Sequence, residues 1–530
     1  MSENHGQSSG TSMMSRRSLD TAALTATIAL TRFVFRSHYL YDVDSVNFAL
    51  ALKRFDPTVH QPHPPGYFLY VYLGRLVNFL FQDANTALVA ISIVFSCAAG
   101  LMIYILTDSW FARNAAVFAG LIFVFSPLAW FHGTVALIYI VEAFFSVLTG
   151  YLCWRVYLGT ASFAIPAAVV VGIAAGFRPS SLLLLCPLLL FSFGKVKRRN
   201  AAGGVACLVL TLFAWLIPML RSTGGEAYFA ALESLWLAVP SKGMAFNSSL
   251  MNSFVRALVI VGIYLLCFGC AAILPVTGLR ANPSIDRRKA IFTRVWIAPG
   301  LLFFTLVYLK FVNSGYLLAL VPPVCVWMGL WASTWYKTLR LRPALKLLLV
   351  GACAAANTLI FLCAPVYCSY RSVRQFEMEL RSIVEVLPRI ASPRDTMIVG
   401  FDSHFLGYRH AGFYLPGYLT VQFPEVHLTS GTWAFAMQAR NTWLENRPPP
   451  NAIHNFIIFP LPLGDNEYSD YMALVRKRFP PGELRTVIRG GHGFTTGSVA
   501  DLQVLFPDFA PLVPSVGTNQ DSRRNIVNSR

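Results

Sequence analysis

The chain alternates between long apolar runs and short polar segments over about two thirds of its length. A helix needs about 20 mostly apolar residues to cross a bilayer, and we divide the apolar material into about eleven such spans. The predicted spans are 20–37, 86–107, 115–131, 135–156, 162–177, 179–194, 202–220, 254–275, 295–312, 314–333 and 345–365. The pattern predicts a polytopic α-helical membrane domain over residues 20–365, preceded by a polar tail over 1–19 and an uncleaved first helix.

From about Arg371 onward the pattern becomes that of a small soluble domain. Helical periodicity covers 371–390, and a strand-like run, Thr396–Phe401, follows it. Further elements are expected as a helix around 403–414 and strands at 418–423 and 453–459. We predict an α/β or α+β domain over residues 366–516 and a disordered tail over 517–530.

Composition supports the membrane interpretation. Hydrophobic residues make up 55% of the chain, charged residues only 13%, and the mean hydropathy is +0.54, which excludes an ordinary soluble enzyme. The net charge of +18 lies mostly in residues 1–365, which hold 27 Lys and Arg against 11 Asp and Glu. This excess forms short clusters between apolar runs, as topology signals do, so a nucleic-acid partner is not expected.

The basic clusters give a consistent orientation. Four of them fall on the side of Arg16 and Arg17 if residues 64–81 lie along the membrane surface without crossing it. Pro64-Pro65-Gly66 at the start of that stretch, and Arg75 within it, favour a surface helix. We therefore expect a cytoplasmic N-terminus in a bacterial inner membrane. The first loop, residues 38–85, and the C-terminal domain would then lie on the outer, periplasmic face.

The first loop carries the most suggestive chemistry. Asp42 and Asp44 follow the first span, and His63 and Tyr67 come later in the same loop as His63-Pro64-Pro65-Gly66-Tyr67. Acids in an outer loop are most often simply solvated. Here, however, Phe48 and further apolar residues follow directly, which indicates that the segment packs. The loop is thus our candidate catalytic segment.

These motifs resemble the GT-C membrane glycosyltransferases that use polyprenyl-phosphate sugars, in the branch of protein O-mannosyltransferases and aminoarabinose transferases. The resemblance rests on Asp44-Ser45-Val46-Asn47-Phe48 with the His63–Tyr67 turn, and it continues through the runs Ser126–Trp130, Gly176–Pro179 and Asn313–Tyr316. It implies a GT-C fold and an aspartate that acts as general base. Val43 separates the two acids, which are adjacent in many members of the family. Asp44 is preferred as the base for its motif, and Asp42 remains the alternative.

Other candidates would bind the substrates, together with His63 and Tyr67 of the first loop. A departing phosphate needs cationic partners, and Arg178 and Lys310 near the outer ends of spans suit that role, unless they only extend to the lipid headgroups. Glu142 lies inside a span, where an ionisable residue indicates function. His132 lies at an outer turn, where a surface position is expected and contact with substrate is the alternative.

The resemblance implies a lipid-linked sugar as donor and a protein, lipid or glycan as acceptor, within a lipid membrane. No resident cofactor is expected, and a divalent metal stays open because two acids and a histidine could hold one. Two alternatives compete with an inverting glycosyltransferase: a transporter or lipid-linked-sugar flippase, and an inactive family member that assembles with an active relative. A transporter would place its charges near the bilayer midplane, whereas here the acids cluster in an outer loop.

Overall fold

The structure is a computed structural model that describes residues 5–241, 250–276, 286–307, 311–400, 404–422, 425–429, 432–436, 453–459, 485–489 and 492–498. The chain divides into two units, Met1–Gln375 and Phe376–Arg530. The first unit is built from helices. They are α1 (His5–Val34), α2 (Val43–Lys53), α3 (Phe68–Phe81), α4 (Ala84–Trp110), α5 (Arg113–Val124), α6 (Pro127–His132), α7 (Tyr139–Tyr157), α8 (Ala164–Phe177), α9 (Ser180–Phe193), α10 (Arg198–Thr223), α11 (Gly225–Ser241), α12 (Leu250–Phe268), α13 (Arg287–Val307), α14 (Val321–Thr338), α15 (Pro343–Cys363) and the beginning of α16 (Tyr370–Ile390).

Every predicted span coincides with at least one of these helices, but fewer are full-length spans than predicted. Among the described residues, five helices are long and apolar enough to cross a membrane, and a sixth span is possible if one bent pair counts as one. The five are α4, α10, Ala257–Val276, α13 and α15. Several other predicted spans form shorter helices, α5, α8 and α9 among them, because Ser-Pro and Arg-Pro steps end or begin helices inside the apolar material.

Two predicted spans are broken in the structure. The span predicted at 115–131 is divided into α5 and α6, where the Ser126 side chain accepts a hydrogen bond from the Ala129 backbone N–H and Pro127 occupies the first turn. A helix start is favourable at such a Ser-Pro step because proline lacks the N–H that an interior position would need. The span predicted at 314–333 begins as a 3₁₀ helix, Phe311–Ala319, and turns by 62° into α14.

The first loop is folded. It contains α2, a 3₁₀ turn (Pro57–Val59) and α3. At 14 residues α3 is roughly 21 Å long, too short to cross a bilayer. It exposes Leu76, Phe79 and Leu80, each at least 67% accessible, as a helix lying along a lipid surface would.

Close helix contacts surround the site described below. A side chain at Gly150 in α7 would collide with the indole of Trp296 in α13, and one at Gly172 in α8 would meet Thr211 in α10. Trp296 also donates its indole N–H to the Ser146 hydroxyl at 3.0 Å. These contacts fix α7 and α8, the two helices that position the buried ion pair.

The second unit contains a small mixed sheet. Its strands are β1 (Thr396–Gly400), β2 (Thr420–Gln422), β3 (Glu425–Thr429), β4 (Thr432–Ala436), β5 (Asn455–Ile458), β6 (Arg485–Arg489) and β7 (His492–Ser498). Five of them form a sheet in the order β2-β1-β5-β7-β6, and β3 pairs with β4 separately. The strands β1, β2 and β5 run parallel, while β7 is antiparallel to β5 and β6.

The combination of helices and a sheet in this unit agrees with the α/β or α+β domain predicted from the sequence. Met397 lies opposite Phe456 in the register, and the helix α17 (Tyr408–Tyr414) connects β1 to β2. The predicted helix at 371–390 and the strands near 396–401 and 453–459 are present. The tail predicted over 517–530 lies outside the described residues.

Candidate active site

Asp42 and Asp44 take different positions at the start of α2. Asp42 is the N-cap: its carboxylate accepts a hydrogen bond of 2.8 Å from the Asp44 backbone N–H. Such a cap satisfies a backbone donor that the helix itself leaves without a partner. Asp44 lies in the first turn, with 27% of its side chain exposed. Asp42 thereby fixes the local backbone, while the Asp44 carboxylate remains accessible.

Asp44 is paired with His63. The Asp44 Oδ1 and His63 Nδ1 atoms are 3.1 Å apart, an ion-pair distance, although the ring N–H direction departs from a straight hydrogen bond. On the other side of the ring, His63 Nε2 lies 2.9 Å from the Tyr67 hydroxyl. The two motifs of the first loop thus form one chain of polar contacts, Asp44–His63–Tyr67.

Phe48 explains the spacing of both motifs. Its ring is fully buried and lies 5.9 Å from the His63 ring, 5.2 Å from Tyr67 and 4.8 Å from Tyr70, measured between centroids. Asp44 and Phe48 are four residues apart on α2 and so share a helix face. The acid therefore reaches the histidine where the phenylalanine packs, which confirms that the acidic segment is not merely solvated.

The turn before α3 is held in place by other elements. Gly66 has φ +109°, a conformation that favours glycine, and Tyr67 follows at φ +46°. The Tyr228 hydroxyl in α11 donates to the Pro65 carbonyl at 3.0 Å. Arg75 in α3 donates to the Leu52 and Ala51 carbonyls at the end of α2, at 2.9 and 3.0 Å. The Arg75 guanidinium thus joins the two helices of the first loop.

A second cluster is formed by Glu142 and Arg178. Arg178 Nη1 donates to Glu142 Oε2 at 2.8 Å, and both side chains are 3% exposed. The Ser180 and Ser181 hydroxyls lie 3.4 and 3.3 Å from Glu142 Oε1. A buried pair of this kind is stable only when its remaining polar atoms find partners, and the two serines supply them for the carboxylate.

Two tyrosine rings pack against the Arg178 guanidinium. Its Cζ lies 4.4 Å from the Tyr139 ring centroid and 4.1 Å from that of Tyr316, within cation–π range of both. The close approach requires Gly315, where an added Cβ would meet Tyr139 ring carbons at 2.6 to 2.8 Å. The cation is therefore fixed in orientation by one carboxylate and two ring faces.

The Tyr67 phenol lies near both clusters. Burial raises the pKa of the Tyr67 phenol well above its usual value, and the Arg178 guanidinium opposes part of this rise, while Asp44 and Glu142 add to it. The phenol is therefore within electrostatic range of both clusters. The predicted site residues thus form two groups, Asp42, Asp44, His63 and Tyr67 in the first loop and Glu142 with Arg178, whereas Lys310 lies outside the described residues.

The surface position expected for His132 is wrong. The residue is 1% exposed at the end of α6, and its ring lies 4.9 Å from that of Tyr139. Burial, assisted by the Arg178 charge, lowers the pKa of His132 to about 3. The sequence placed it correctly on a turn between two spans but could not show that other helices cover that turn.

Several contributors were not identified from the sequence. Tyr139 precedes Glu142 by three residues on α7, a spacing that places both on one helix face and could have indicated its role. Ser180 and Ser181 directly follow the Arg178-Pro179 step. Among the described residues, no group of three His, Cys, Asp or Glu side chains is arranged to hold a metal ion.

Fold and site together define a polytopic helical membrane protein with an accessible carboxylate and a buried arginine that contacts two tyrosine rings. Residues 57–201 match the family model of the protein O-mannosyl-transferase TMEM260 N-terminal domain. The crystal structure of ArnT from Cupriavidus metallidurans bound to undecaprenyl phosphate superposes with a TM-score of 0.58 at 14% identity, over 91% of this chain and 98% of that chain. ArnT in the apo state gives 0.56 at 13% identity, over 93% and 99%.

No curated protein matches this chain significantly in sequence. The structural match extends over nearly the whole of ArnT, so this chain has the ArnT-like GT-C fold. The GT-C resemblance predicted from the sequence is confirmed.

Proposed function

We propose that this protein is an inverting glycosyltransferase that moves a sugar from a polyprenyl-phosphate donor to an acceptor hydroxyl on the outer face of the membrane. The observation that carries the proposal is the Asp44 carboxylate, partly exposed and held by His63, in the same site as the Arg178 guanidinium. The O-mannosyl-transferase family model and the ArnT fold support it.

The reaction assigns a role to each cluster. Asp44 takes the proton of the acceptor hydroxyl while that oxygen attacks the anomeric carbon from the side opposite the phosphate. The bond between the anomeric carbon and the phosphate oxygen breaks, so negative charge develops on the departing polyprenyl phosphate. Arg178 stabilises this charge, assisted by Lys310. Asp42 orients the start of α2 and thereby the base.

Glu142 allows the charged Arg178 guanidinium to be buried in apolar surroundings. An unpaired guanidinium at this depth would be costly, and its carboxylate partner removes most of that cost. Because Glu142 binds Nη1 and the rings of Tyr139 and Tyr316 both contact the guanidinium, the cation is positioned before substrate arrives. Preorganised charge of this kind stabilises a transition state without rearrangement during the reaction.

The matched family model favours mannose as the sugar and a protein hydroxyl as the acceptor. The test is transfer by purified protein in proteoliposomes supplied with polyprenyl-phosphate mannose and an acceptor protein. The substitution Asp44→Asn should lower transfer roughly 10²- to 10⁴-fold, the usual contribution of a positioned base. Asp56→Asn makes the same change of charge in the same loop, where Asp56 pairs with Arg54, caps the 3₁₀ turn and accepts from the Thr58 hydroxyl, and it should leave transfer intact. Equal activity of the two variants would refute the assignment of Asp44.

A further inference from the structure

His63 is placed so that both ring nitrogens face a polar partner. Nδ1 lies 3.1 Å from Asp44 Oδ1, and Nε2 lies 2.9 Å from the Tyr67 hydroxyl. The ring is also packed against Phe48 and Tyr67, with centroid distances of 5.9 and 4.8 Å. A histidine whose two nitrogens and one ring face are all engaged has little freedom to rotate or flip.

These contacts determine which nitrogen carries the proton. A deprotonated Nδ1 would place its lone pair beside a carboxylate oxygen 3.1 Å away, which is repulsive even off the straight line, so the proton belongs on Nδ1. The neutral ring then presents a lone pair at Nε2. The Tyr67 hydroxyl can donate to it, since the phenol is buried and its raised pKa keeps it protonated.

We propose that His63 is a positioning residue for the base: its Nδ1 proton holds Asp44 Oδ1, and the Tyr67 hydroxyl fixes the tautomer that makes this possible. The inference rests on the proposed function, in which Asp44 takes the acceptor proton. With Oδ1 held by His63, Oδ2 is the oxygen that receives that proton. Among the described residues, Oδ2 has no hydrogen-bond partner competing for it.

The neighbouring Tyr70 provides a matched control. Its ring packs edge-to-face against the same Phe48, with centroids 4.8 Å apart, but its buried hydroxyl has no hydrogen-bond partner among the described residues. The substitutions Tyr67→Phe and Tyr70→Phe therefore remove the same atom from two adjacent buried rings. Only the first removes the partner of His63.

The tautomer can be measured without any activity assay. Nitrogen-15 imidazole spectra of histidine-labelled protein in nanodiscs, recorded near pH 8 and assigned by the signal lost in His63→Asn, report which nitrogen is protonated. We expect a proton on Nδ1 in the wild type and in Tyr70→Phe, and a tautomer mixture in Tyr67→Phe. A proton on Nε2 in the wild type, or an unchanged His63 signal in Tyr67→Phe, would overturn the proposal.

Kinetics then separate positioning from general loss of structure. The asparagine in His63→Asn can donate from near the Nδ1 position, whereas the side chain in His63→Leu cannot donate. We expect kcat to fall about 10- to 100-fold in His63→Leu, as for the loss of other orienting partners, with KM for the donor nearly unchanged and kcat partly restored in His63→Asn. Equal kcat in both variants would contradict the positioning role. A wild-type protein that transfers no sugar would instead refute the proposed function, and the spectra would still decide the tautomer.

Discussion

Asp44 Oδ1 and His63 Nδ1 lie 3.1 Å apart, although they belong to two separate sequence motifs of the first loop. The contact forms because Phe48, one helical turn after Asp44, packs against the rings of His63 and Tyr67. The acidic motif and the His-Pro-Pro-Gly-Tyr turn are therefore two halves of one structure. A substitution in one motif should change the position of the side chains in the other.

Asp42 should be a structural acid. Removing its capping oxygen in Asp42→Ala should destabilise the protein by about 1 kcal/mol, whereas Asn, itself a good cap, should restore most of that stability. Thermal unfolding in detergent measures both effects. In the transfer assay Asp42→Asn should lose far less activity than Asp44→Asn. If Asp42→Asn is the more damaging substitution, the two acids have exchanged roles.

The buried pair of Glu142 and Arg178 should show strong coupling. Removing one partner leaves a charge buried alone, so Glu142→Leu or Arg178→Leu should each destabilise the protein by roughly 3–5 kcal/mol. The double variant should lose much less than the sum of the two single losses. Thermal unfolding of the four proteins gives the coupling directly, and additive losses would show that the contact contributes little.

Gly315 should be needed because it leaves space for the Tyr139 ring, and not because the backbone there requires glycine. In Gly315→Ala the new methyl group meets the Tyr139 ring at 2.6 Å, so the ring must move away from Arg178, at a cost of about 1–3 kcal/mol. We expect reduced transfer with a raised KM for the donor. Gly351→Ala is the control, because nothing lies within 4 Å of its added methyl group and alanine favours the helix. Similar kinetics in the two variants would contradict a role for the contact between the Tyr139 ring and the Arg178 guanidinium.

Buried His132 should make the protein sensitive to acid. Its folded pKa of about 3 lies below the ordinary value of 6.5, so the unfolded chain binds the proton more readily. This contribution to stability is complete above about pH 6.5 and is lost as the pH falls toward 3, by up to about 1.4 kcal/mol per pH unit. His132→Phe keeps the ring packing and should flatten the dependence of the unfolding temperature on pH between 7 and 5. The same slope in both proteins would show that other groups cause the sensitivity.

The packing of the first loop could be anticipated from the sequence because its signals are local. Asp44 and Phe48 share a helix face, and His63 and Tyr67 lie close together across a glycine turn, so short motifs contain most of this geometry. Long-range contacts were not predictable in the same way. Nothing in the sequence pairs Glu142 with Arg178, or places the Tyr316 ring on that cation, because those contacts depend on how α7, α8 and the segment before α14 pack.

The boundaries of the membrane spans show a second limit of prediction from the sequence. Apolar periodicity alone placed one helix over 115–131 and another over 314–333, whereas the structure breaks the first at Ser126-Pro127 and bends the second by 62°. Hydropathy reports which residues avoid water but not where the backbone changes direction. The Ser-Pro step was a readable signal for the first break.

The most direct test of the central claim separates donor binding from chemistry at Asp44. Purified wild type and Asp44→Asn are loaded with labelled polyprenyl-phosphate mannose in nanodiscs. Donor affinity and the rate of sugar transfer in a single turnover are then measured on the same samples. Because Asp44 is proposed to act on the acceptor, Asp44→Asn should bind the donor as wild type does and transfer it at least about 100-fold more slowly. Transfer at the wild-type rate by Asp44→Asn would contradict the account.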